Sequence, residues 1–71
     1  MNVKLAIATD LEVMHGATVF SGTRVTVKAL FDSLSAGGTV DEFLESFPSV
    51  SREQVETVLS EAAEIFAQPP H

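Results

Sequence analysis

Four side chains in this sequence have the chemistry to meet a nucleic acid: Lys28, Arg52, Gln54 and Thr57. An arginine fork reads guanine, a glutamine amide pairs with adenine, a threonine hydroxyl serves either, and a lysine neutralises a backbone phosphate. Arg52, Gln54 and Thr57 stand near the start of a predicted helix, the part of a recognition helix that reaches base edges in the major groove. Against them, Glu53, Glu56, Glu61 and Glu64 share that helix, so a solvated acidic face is the competing reading. Three further residues point to a protein partner: Arg24, Ile65 and Phe66. The guanidinium of Arg24 suits a phosphate or a partner's carboxylate. It equally suits carbonyls, or a carboxylate such as Asp32 or Asp10, that would lock the first strands onto the helices. Ile65 and Phe66, with Ala62, widen the apolar surface at the end of the same helix, either as a contact for a subunit or partner or as the completion of the core.

Catalytic chemistry is not expected. His15 lies close to Asp10, Glu12 and Ser21 along the chain, but these common residue types in a turn-rich stretch do not define a nucleophile, a base and an orienting group. Asp41 and Glu42 are accounted for by the favourable field at a helix start. Gly37 and Gly38 lack the lysine and spacing of a phosphate-cradling loop. The chain has no cysteine, and its two histidines, His15 and His71, have no companions at metal-ligand spacing. The sequence therefore reads as a non-enzyme with no cofactor, no metal and no small-molecule substrate.

With 71 residues the chain is one domain. A domain of this size buries only about 60% of the surface its unfolded form exposes, so its stability margin is thin. Without disulfides or metal, association with another chain is the favoured stabiliser, and a homo-oligomer is expected. Ten acids against four cations give a net charge of −6, which suits a basic protein partner better than the phosphate backbone. No apolar run approaches the length of about 18 residues that a membrane span needs, and no leader pattern opens the chain, so a cytoplasmic location is expected.

The elements that must position these residues follow from hydrophobic spacing. Val3, Leu5 and Ile7 alternate with Lys4, Ala6 and Ala8, the period of a half-buried strand, and Thr18-Val19-Phe20 is a second β-favouring run. The two strands lie on the helices or pair with another copy, since a hairpin alone is marginal. Three apolar stripes at helical spacing follow: Val27, Leu30, Phe31 and Leu34; Val40, Phe43, Leu44 and Phe47; then Val55, Val58, Leu59, Ala62 and Phe66. Phe31, Phe43, Phe47 and Phe66 are assigned to the core. Thr26 is the expected N-cap of the first helix, which Gly37-Gly38 ends. Thr39 with Glu42, and Ser51 with Gln54, are capping boxes for the second and third. Pro48 stops the second helix at Phe47, and the third runs to about Phe66 or Ala67. The short link forces the last two helices into a helix-turn-helix crossing.

The order of three stretches resembles a bacterial family, domain of unknown function 433. They are His15 to Val27 with its Gly22-Thr23-Arg24 motif, Gly37 to Leu44 with Gly38-Thr39-x-x-Glu42, and Phe47 to Val55 with Phe47-Pro48-Ser49-Val50-Ser51. The chain departs from the family pattern at Thr18 and Thr26, where proline is usual, and at Glu61, where tyrosine is usual. The resemblance implies an α+β, mainly α, fold: an N-terminal β-hairpin followed by a three-helix, homeodomain-like or winged-helix-like helix-turn-helix bundle. The hairpin would span residues 1–25, the helical unit 26–67 and a flexible tail 68–71. It also implies the antitoxin half of a VapB–VapC-like pair, binding and neutralising a PIN-like ribonuclease toxin and repressing its own promoter through operator DNA. The alternative is an acidic protein-interaction module with no nucleic-acid role.

Overall fold

Phe20, Leu30, Phe43, Val50, Val55 and Val58 form one buried cluster, drawing at least one side chain from a strand and from each of three helices. The computed structural model describes residues 1–9 and 16–67. Its elements are α1 (Val3–Ala6), β1 (Ile7–Thr9), β2 (Thr18–Phe20), α2 (Val27–Ser35), α3 (Val40–Ser46) and α4 (Arg52–Ala67). The fold is α+β and mainly helical, as the resemblance implies, with an antiparallel hairpin ahead of three packed helices. The proposed tail, 68–71, lies outside the described residues.

The hairpin is shorter than its alternation predicts. Ile7 pairs with Phe20, Ala8 with Val19 and Thr9 with Thr18. Val3 to Ala6, expected as strand, instead form one helical turn. The side chain of Asn2 accepts from the Lys4 N–H at 2.8 Å, and the Leu5 N–H donates to the Asn2 carbonyl at 2.9 Å. A local cap has overridden the period-2 pattern, leaving Leu5 70% exposed and burying Ala6 instead. On the far side of β2, Val19 bridges Thr26, and the Phe20 N–H donates to the Val25 carbonyl at 2.9 Å. The hairpin is thereby tied to the entrance of α2 within this chain.

Each of the three longer helices begins where its cap predicts. Thr26 accepts from the Ala29 N–H, and Thr39 and Glu42 cap each other reciprocally. Ser51 Oγ accepts from the Gln54 N–H at 3.1 Å while Gln54 Oε1 accepts from the Ser51 N–H at 2.9 Å. At the end of α2 the Gly37 N–H returns to Leu34 and the Gly38 N–H to the Ser33 carbonyl. A Cβ on Gly38 would lie 2.9 Å from that carbonyl oxygen, so close an approach that only glycine fits without a shift.

The phenylalanines divide by depth. Phe43 is buried, with Phe20 on one side at 6.0 Å between ring centroids and Phe47 on the other at 4.9 Å. Phe31 and Phe47, each 37% exposed, sit at the margin of the core and not inside it. Phe66, also assigned to the core from its spacing, is 87% exposed, because α4 is 16 residues long and its last turn passes beyond the elements it covers.

Candidate functional site

The α3–turn–α4 unit holds three of the nucleic-acid candidates and α2 the fourth, and all four side chains are engaged with partners inside the fold. Arg52, the first residue of α4, pairs through its guanidinium with Asp41 on α3, closing the corner between the two helices. That hydrogen bond and the charge of Asp41, with Glu56 adding, push the Arg52 pKa above its usual value. Lys28 pairs with Asp32 one turn along α2 at 2.7 Å. Thr57 donates its hydroxyl to the Glu53 carbonyl at 2.7 Å and lines an open groove with Met1, Val3, Glu56 and Glu61.

Gln54 is a correction to the expected base contact. Only 8% exposed, it spends its whole amide inside the fold. Its Oε1 caps α4, while Nε2 donates to the Ser21 carbonyl at 3.0 Å and the Ala6 carbonyl at 3.3 Å. Ala6 also accepts from the Ser21 N–H at 2.9 Å. One side chain thus binds the start of α4 to both ends of the hairpin region, and no polar atom of it is left to read a base. The capping box already gives Gln54 structural work, and that is the signal in the sequence that separates it from Arg52 and Thr57.

Arg24 follows a tight turn from Phe20 to Thr23. Gly22 adopts φ +77 at the third position, which a type II turn requires, and Thr23 locks the turn by donating its N–H and hydroxyl to the Phe20 carbonyl. Thr23 Oγ1 also accepts from the Val25 N–H at 3.0 Å. The Gly-Thr pair is therefore structural, and it projects the exposed Arg24 into a shallow hollow beside Ala8, Thr9, Val19 and Ser49. Asp32, one of its two candidate carboxylates, is held by Lys28 instead. Asp10, the other, lies outside the described residues, as do Glu12 and His15.

All eight acids among the described residues are exposed, and seven of them lie on α3 and α4: Asp41, Glu42, Glu45, Glu53, Glu56, Glu61 and Glu64. Arg52 is the one cation on those two helices, and it is paired. At the far end of α4, Ile65 and Phe66 are 61% and 87% exposed. The α3–turn–α4 unit therefore presents negative charge and an apolar tip. No helix among the described residues is long and apolar enough to cross a membrane.

No curated protein and no solved structure matches the chain. The turn that carries Gly22-Thr23-Arg24, the two capping boxes and the proline corner all fall within residues 7–62, and over that span the chain matches, and so belongs to, the family described as "Protein of unknown function (DUF433)".

Proposed function

We propose that this chain is a protein-binding inhibitor of the antitoxin kind, which covers and silences a basic partner such as a PIN-like ribonuclease. The observation that carries the reading is the charge of α3 and α4, where seven exposed acids are offset by one paired arginine and by the N-terminal ammonium beside Glu53. Enzymes that act on RNA need cationic surface to hold phosphates, and an acidic domain competes for that surface by mimicking the negative charge of the RNA. Operator DNA is a poor match for the same helices, since their exposed acids repel phosphate and their one cation is already paired. In this reading the chain works in the cytoplasm beside its partner, with Arg24, Ile65 and Phe66 on the contact side.

The test is direct inhibition. Any nuclease-like protein encoded beside this chain is purified, and its cleavage of a model RNA is followed as the chain is added. Cleavage falls to baseline near one chain per active site. Undiminished cleavage at a large excess, or the absence of any nuclease-like neighbour, overturns the antitoxin reading.

A further inference from the structure

The core-facing stripe of α4 outruns the core. Val55 and Val58 are buried, Leu59 packs against them and Ala62 is half-buried. The same face continues three and four residues on to Ile65 and Phe66, which are exposed at 61% and 87%. The last turn of the helix thus holds an apolar ridge past the edge of the body. Glu61 and Glu64 stand exposed beside it, and beyond Arg52 the helix contains no lysine or arginine. The C-terminal end of the helix dipole adds partial negative charge there.

We infer that Ile65 and Phe66 anchor the chain in an apolar groove, rimmed with lysine or arginine, on a different protein. The inference rests on the protein-partner reading and names the element that makes the contact. A second copy of this chain fits the ridge poorly, because each copy carries a net charge of −6 and joining two such tips would bring Glu61 and Glu64 of both together without a cation between them. A basic rim reverses that sign. Charge then steers the encounter, while two side chains at adjacent positions on one helical face fill the groove and set the lifetime of the complex. Both anchors lie past residue 62, where the family match stops.

Photocrosslinking followed by titration tests this. The full chain, with a benzophenone amino acid in place of Phe66, is irradiated in the cells that make it. A second version carries the group in place of Ser35, exposed on α2. The captured protein is identified, purified and titrated with the native chain, with Phe66→Ala and with the paired change Glu61→Lys and Glu64→Lys. Circular dichroism verifies that each variant is folded. The inference predicts capture from position 66 and not from 35, by a protein whose groove is apolar with a basic rim. Phe66→Ala weakens its binding about tenfold or more. The paired lysines slow association, and that difference fades at high salt. Capture of a second copy, capture from position 35 alone, or unchanged affinity of Phe66→Ala overturns the anchor while a protein partner stands. Capture from neither position overturns the anchor, while the inhibition assay decides the protein-partner reading separately.

Discussion

Gln54 shows how much a single amide can carry. It accepts at the cap of α4 and donates to two carbonyls on other elements, so its removal strands several buried groups at once. Gln54→Leu should lower stability by about 2–3 kcal/mol, measured by urea unfolding, from unpaired backbone groups and a weakened cap. Gln54→Glu should be worse at neutral pH than in acid. Its protonated carboxyl can still donate to a carbonyl, whereas the ionised form is buried facing the two carbonyl oxygens, so its folded-state pKa rises above the ordinary value of about 4.3. A raised carboxyl pKa means that the folded chain holds the proton more tightly, and the deficit against Gln54→Leu grows as pH climbs through that range. Equal unfolding midpoints of the two variants at pH 4 and 7 would contradict it. The buried Phe43 and the exposed Phe66 make a second contrast: Phe43→Ala should cost about 3–5 kcal/mol and leave so small a domain largely unfolded, while Phe66→Ala should leave the melting temperature almost unchanged.

At the scale of elements, the three long helices were legible because each announces itself twice, by an apolar stripe and by a cap. Thr26, Thr39 and Ser51 all accept hydrogen bonds where their positions predict. Thr39→Ala should therefore cost about 1 kcal/mol by thermal unfolding. Gly38→Ala should also destabilise, since the added Cβ meets the backbone of Ser33. The first element misled for the reason the helices did not: Val3, Leu5 and Ile7 alternate over too few residues for the pattern to outweigh one asparagine cap. In the candidate site, Ile65 could be recognised as surplus apolar surface, whereas helical spacing placed the exposed Phe66 in the core. The pairing of Arg52 with Asp41 could not, because it depends on where the corner at Pro48 sets two helix starts, and residue types alone do not supply that placement.

The whole molecule is a thin-margined body with an acidic face. Its four cations are few, and two of them, Lys28 and Arg52, are paired with acids. A gel shift with the chain's own upstream DNA should accordingly give no retarded band for the chain alone, even at low salt where counterion release is most favourable. A clear shift under those conditions would reinstate the recognition-helix reading. The hydrogen bond from Gln54 to Ala6 joins positions 48 apart, by far the longest reach along the chain among the hydrogen bonds described above. Closing so long a loop brings its reward late, after α2, α3 and α4 have met through nearer contacts. The opening residues should thus be the final piece to dock and the earliest to release. In native-state deuterium exchange, the Ser21 amide, held only by Ala6, should trade its proton well before those of Leu30 and Phe43, giving this small protein a hinged front end on a tighter helical block.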